Sequence, residues 1–186
     1  MIGVAEQRVD ALIDRLIGIE GGLVNDASDR GGETRYGITL KTARAAGYVG
    51  PMADLTLDQA RSIYRTDYVT GPGFDKVLAI DPEIGFELVD TGVNCGQATA
   101  GMFLQRWLNG FNVGGARYAV LKVDGSLGPA TLAALKAYLA WRGPMGATAL
   151  LRGLNGTQAA HYLTLAEKDP SQRKYLFGWI TNRVEM

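Results

Sequence analysis

The stretch Ile19-Glu20-Gly21-Gly22-Leu23-Val24-Asn25-Asp26-Ala27-Ser28-Asp29-Arg30-Gly31-Gly32-Glu33-Thr34-Arg35-Tyr36-Gly37-Ile38-Thr39 decides how the rest of this chain is read. Upstream of it, Val9, Leu12, Ile13, Leu16 and Ile17 recur at the three-and-four spacing of one apolar helix face. The same register brings Glu20 onto that face. A carboxylate at the inner end of an apolar stripe is costly unless it is paired or neutralised. Gly21 and Gly22 then stop the helix, because glycine readily takes the left-handed conformation just past a helix end.

From Asn25 to Thr34 the chain offers Asn25, Asp26, Ser28, Asp29, Arg30, Glu33 and Thr34 around the turn-forming pair Gly31-Gly32. Tyr36 and Ile38 then alternate with Gly37 as in a half-buried strand. The expectation is a short polar hairpin folded back over the helix end, so that Glu20 faces hydroxyls and carboxylates across a cleft. Such a pair of walls suits glycoside hydrolysis, in which one carboxylic acid protonates the leaving oxygen while polar groups opposite position water. Apolar flanks, the negative end of the preceding helix dipole, and Asp26 or Asp29 all act to raise the pKa of Glu20, the direction a general acid requires. The plainer alternative is a surface glutamate followed by turn-forming Asp and Asn.

The ordered run Glu20-Gly21-Gly22-Leu23-Val24-Asn25-Asp26, then Asp29, then Gly31-Gly32-Glu33-Thr34-Arg35-Tyr36-Gly37-Ile38 resembles the signature of glycoside hydrolase family 108, N-acetylmuramidases found as phage endolysins and in bacterial secretion activators. The resemblance implies that Glu20 is the catalytic glutamate. The order Glu20, Asp29, Thr34 also resembles the Glu/Asp/Thr set of phage-type lysozymes, in which the last two hold the attacking water. The interval from Asp29 to Thr34 is one residue shorter than in those lysozymes, and Asp26 is the rival second carboxylate.

Composition narrows the alternatives. The 186 residues carry 19 basic and 19 acidic side chains for a formal net charge of +0, which gives no global support for nucleic-acid or anionic-membrane binding. Hydrophobic residues make up 47% of the chain, enough for a proper core. One cysteine, Cys95, and one histidine, His161, argue against a disulfide framework, a cysteine-rich metal site or a Cys/His nucleophile. No metal or cofactor is expected, Cys95 is read as a small core residue, and His161 as an ordinary helix residue. Glu6, Arg8, Asp10, Asp14 and Arg15 interrupt any apolar run in the first twenty residues, so a secretory signal or spanning anchor is not expected. With the family resemblance, that implies synthesis in a host cytoplasm and release to the periplasmic wall by another agent, such as a phage holin.

Further along, Thr39 or Leu40 opens a short helix through Ala46, and Thr56-Leu57-Asp58-Gln59 has the form of a capping box opening a helix through about Val69. Leu57, Ala60, Ile63 and Tyr64 are its apolar positions, and Thr70-Gly71-Pro72-Gly73 ends it. Asp81-Pro82-Glu83 starts another helix, with a stripe of Ile84, Leu88 and Val89 through Asp90. Thr91-Gly92-Val93-Asn94-Cys95-Gly96 is expected to interrupt it. In the family a similar Val-Asn-x-Gly element lines the active site, which implies substrate binding by Asn94, although an Asn is also tolerated at a helix end. Residues 98–108 read as a central helix with Phe103, Leu104, Trp107 and Leu108 inward, and Pro129 opens a helix to about Arg142 with Leu132, Leu135, Leu139 and Ala140 on its packing stripe.

The pairing of Leu104-Gln105-x-x-Leu108-Asn109 with Asp124-Gly125-x-x-Gly128-Pro129-x-Thr131-Leu132 resembles a peptidoglycan-binding helical module. After a break at Gly143-Pro144, residues 157–168 read as a helix with Leu163 and Ala166 on one side, ended by Asp169-Pro170. The tail sets Tyr175, Phe177 and Trp179 among Arg173 and Arg183, a pattern read as packing on the core in preference to sugar stacking.

The expected fold is mainly α, lysozyme-like, with a small β-hairpin beside the cleft. Residues 1–93 form the cutting lobe and residues 94–186 a helical lobe resembling a peptidoglycan-binding module, packed as one unit. The resemblances imply hydrolysis of the β-1,4 bond between N-acetylmuramic acid and N-acetylglucosamine in peptidoglycan. Glu20, Asp29 and Thr34 are the catalytic candidates, and Asp26, Tyr36 and Asn94 hold substrate. The rivals are a lytic transglycosylase, a non-catalytic wall-binding or secretion-assisting protein and, more weakly, a chitinase.

Overall fold

Helix α1 (Ile2–Ile19) turns Val9, Leu12, Ile13 and Ile17 into the core as its sequence spacing predicts, together with Ala5, while Leu16 is only half-buried. The computed structural model describes residues 2–19 and 33–184. On the other side of α1, Glu6, Asp10 and Asp14 stand one turn apart and meet α3 (Leu57–Arg65). Arg65 pairs with Glu6 and with Asp10 at 2.6 Å, and Arg61 pairs with Asp14 at 2.6 Å. Because the later acid meets the earlier arginine, the two helices run antiparallel. These pairs are solvent-exposed, so they set register more than stability.

Between them lies a two-stranded antiparallel hairpin, β1 (Thr34–Arg35) and β2 (Ile38–Thr39), with Thr34 opposite Thr39 and Arg35 opposite Ile38. The turn is Tyr36-Gly37, both at positive φ (55° and 74°). The expected strand through Tyr36 to Ile38 is therefore corrected: the chain reverses there, in the primed geometry that matches strand twist. Thr39 caps α2 (Leu40–Ala45) through Thr42 N, and Gly47 follows at φ 86°.

The Thr56/Gln59 capping box forms as expected, with Gln59 N donating to Thr56 Oγ1 and Thr56 N donating to Gln59 Oε1. Leu57 is exposed, not part of the buried stripe. The helix then widens into one π turn, Thr66–Thr70. Gly73, at φ 83°, leads into a helix the sequence reading did not anticipate, α4 (Phe74–Leu78).

Helix α5 (Pro82–Cys95) is the centre of the molecule, packed by α1, α4, α6 and α7. Asp81 caps it, accepting from the backbone of Glu83 and Ile84. The expected interruption at Thr91 is not present. Gly92 continues the helix because its missing side chain admits Phe74, whose ring would lie 2.7 Å from an added Cβ. The stop comes at Gly96, at φ 93°.

Helix α6 (Gln97–Phe111) buries Phe103, Leu104 and Leu108, with Trp107 half-buried. Its polar residues hold the following loop like staples. Gln105 accepts from Asp124 N and Gly125 N and donates to Ser126 O, while Asn109 exchanges two bonds of 2.8 Å with Leu121. Asn112 accepts from Arg117 N and Tyr118 N.

The helical run α7 (Pro129–Lys168) breaks at Gly143 (φ 60°, ψ −155°) before Pro144. Its second arm resumes at once and not at Thr157. In the first arm Leu135 and Tyr138 are fully buried while Ala140 is exposed; in the second, Ala166 is buried and Leu163 is exposed. Helix α8 (Arg173–Arg183) folds back on α7, where Trp179 stacks on Tyr162 with ring centres 5.1 Å apart. Packing of the tail is thus half right, because Phe177 is 80% exposed. Among the described residues no helix is long and apolar enough to cross a membrane.

Candidate active site

Three of the candidate residues, Glu20, Asp26 and Asp29, lie outside the described residues; Thr34, Tyr36 and Asn94 lie within them. Thr34 opens β1 and is half-buried. Tyr36 takes a conformation unfavourable for a side chain larger than glycine. Two contacts hold it: Tyr64 Oη donates to its carbonyl at 3.0 Å, and the Arg35 guanidinium lies 5.1 Å from its ring centre.

Asn94 sits in the last turn of α5, where its Nδ2 donates to the Asp90 carbonyl at 2.8 Å and lies 3.4 Å from Asp90 Oδ2. Its amide nitrogen is committed to its own helix. The end of α3 links the hairpin to this helix end. Tyr64 holds the hairpin, Tyr68 stacks on Tyr64 at 6.0 Å, and Gln97, three residues past Asn94, donates to the Asp67 carbonyl at 2.7 Å. The hairpin and the start of α6 are therefore both tied to this stretch, one through Tyr64 and the other through Asp67.

The sequence reading missed Tyr64, Asp67, Tyr68 and Gln97 as the wall of this region. A Tyr-x-x-Asp-Tyr pattern across a helix end was the available signal. Asp67 is half-buried, and among the described residues its carboxylate meets no donor; burial holds its pKa above the usual carboxylate value. A π turn exposes irregular backbone and is often found at functional sites.

Buried acids on α5 were also missed. Glu87 and Asp90 are each 4% exposed. Glu87 accepts from Thr91 Oγ1 at 3.1 Å, and Asp90 receives Arg183 at 2.7 Å and Gln158 at 3.3 Å. Cys95 is half-buried, and burial pushes its thiol up to about 11. His161 meets the edge of Phe103 at 5.8 Å, with burial lowering its pKa. Among the described residues no group of three or more metal-ligating side chains forms.

Against known proteins, residues 13–96 match the family Glycosyl hydrolase 108, and residues 99–184 match the Predicted Peptidoglycan domain. The two matched segments follow one another along the chain. The first runs from the middle of α1 to the end of α5, and so contains the hairpin, the π turn and Asn94. The second begins inside α6 and contains the stapled loop, α7 and α8. No curated protein matches this chain. A solved structure of SagA from Brucella abortus aligns with 97% of this chain and 98% of its own, at 23% identity and a TM-score of 0.51. That likeness shows the shared fold. The mainly α architecture with its small hairpin is consistent with a lysozyme-like fold, and the two matched segments support a peptidoglycan-acting glycoside hydrolase.

Proposed function

We propose that this protein is an endolysin-type N-acetylmuramidase that hydrolyses the β-1,4 bond between N-acetylmuramic acid and N-acetylglucosamine. The observation that carries the reading is the glycosyl hydrolase 108 segment followed directly by a peptidoglycan segment. Glu20 gives its proton to the bridging oxygen as the bond to the anomeric carbon breaks. Asp29, assisted by Thr34, takes a proton from the water that attacks that carbon; Asp26 is the alternative base. Tyr36 and Asn94 hold sugar, and Tyr64 keeps Tyr36 in place. Residues 1–93 cut while residues 94–186 grip the wall.

The test is digestion of purified peptidoglycan by wild type and by Glu20→Gln. The proposal expects soluble muropeptides from the first and none from the second, with both proteins equally folded. Anhydro-muramic ends would replace hydrolysis by transglycosylation. Sedimentation with wall sacculi without any product would leave a wall-binding protein.

A further inference from the structure

Two adjoining clefts lie where residues of α1 and α8 come together. One, of about 200 Å³, lies among Arg8, Leu12, Phe86 and the buried acids of α5; the other, of about 460 Å³, lies among Lys174, Tyr175 and Trp179. They share Arg15, Asn182 and Arg183, so they form one groove spanning both domains.

Its cations divide into two kinds. Arg183 is locked by Asp90 at 2.7 Å, and Arg8 is held by Glu83 at 2.6 Å and by the face of Phe86 at 3.8 Å. Arg15 and Lys174 are exposed and pair with no carboxylate among the described residues. Beside them is an aromatic platform. Tyr175 is 48% exposed with its ring 5.9 Å from Trp179, which is itself braced on Tyr162.

Ring faces stack on the C–H surfaces of sugars, and uncommitted cations bind carboxylates. Arg15 and Lys174, which meet no carboxylate among the described residues, with Lys174 Nζ 4.8 Å from the ring centre of Tyr175, suit a polymer with sparse carboxylates better than a phosphate backbone, whose dense charge needs a basic stripe. We propose that this groove is an accessory binding site for the glycan strand of peptidoglycan, with Tyr175 and Trp179 under a sugar ring and Arg15 and Lys174 on the carboxylates of its peptide stems. The proposal rests on the peptidoglycan reading above and adds to it a place for the grip, in a groove that α1 helps to line. It also accounts for an exposed tyrosine on a helix that packing alone does not explain.

Sedimentation with purified wall sacculi tests it, in a Glu20→Gln background so that retention is independent of turnover. Arg15→Gln/Lys174→Gln is expected to weaken retention about tenfold and to flatten its dependence on salt. Tyr175→Ala should weaken it several-fold while leaving the salt dependence intact. Arg15→Lys/Lys174→Arg, which keeps both charges, should retain binding, so a fold defect is separable from lost charge. Arg106→Gln/Lys136→Gln removes the same charge elsewhere and should bind as the parent does. A groove double variant that binds like the parent, or a control that loses as much, overturns the proposal. Either result leaves the hydrolysis reading standing if wild type still cuts, whereas a groove-dependent binder that never cuts would overturn only the hydrolysis.

Discussion

Tyr36 shows how one residue ties backbone strain to the proposed site. Its positive φ would be relieved by glycine, yet the phenol is kept, held from above by Arg35 and at its carbonyl by Tyr64. Strain of this sort persists only where surrounding contacts over-determine it. Asp67, three residues past Tyr64, is the complementary case of a carboxyl that meets no donor among the described residues. Burial raises its folded-state pKa above 3.8, so the folded protein binds that proton more tightly than the unfolded chain does. Its ionisation therefore lowers stability as pH climbs through and beyond about 4. Asp67→Asn should melt no lower than wild type at pH 7 and lose any advantage below about pH 3. Thermal melts at the two pH values check this, and a clear drop at pH 7 would mean the carboxylate makes a bond that stabilises the fold.

At the scale of elements, the parts legible in the sequence were those with local chemistry. The α1 stripe, the Thr56/Gln59 capping box, the Asp81-Pro82 start and the Gly143-Pro144 break all depend on residues within a turn or two of one another. The misread parts depend on distant partners. Nothing local announces that Gly92 is a contact point for Phe74 instead of a stop, or that Tyr36-Gly37 forms a turn braced by α3. The catalytic candidates were legible only as a motif. Thr34 and Tyr36 share a hairpin, with Tyr36 in its turn and not in the expected strand, while the Tyr64, Asp67 and Gln97 wall required the fold to bring α3 against two other elements. Glycine contacts also dictate how α6 meets its loop: a Cβ on Gly101 would lie 2.1 Å from Gly125 O, a backbone atom that cannot swing aside. Gly101→Ala should cost about 3 kcal/mol, read as a lower urea midpoint with an unchanged slope. A loss below about 0.5 kcal/mol would show that the loop moves freely.

Across the whole molecule, the two domains are joined by buried polar groups as well as by apolar packing. Asp90, in the glycosyl hydrolase segment, accepts from Arg183 and Gln158 of the peptidoglycan segment. Removing only the arginine leaves a buried carboxylate without its counter-charge. Arg183→Met should therefore cost roughly 3 kcal/mol, and Asp90→Asn in the same chain should recover much of it. Additive losses in that cycle would mean that α8 docks through Trp179 alone.

The most direct measurement is the identity of the sugar at the new reducing ends. Purified sacculi digested by the protein are treated with borohydride and hydrolysed, and the amino-sugar alcohols are separated. The account predicts muramitol from the wild type and none from Glu20→Gln. Glucosaminitol, or cleavage that yields no reducible end, would contradict it.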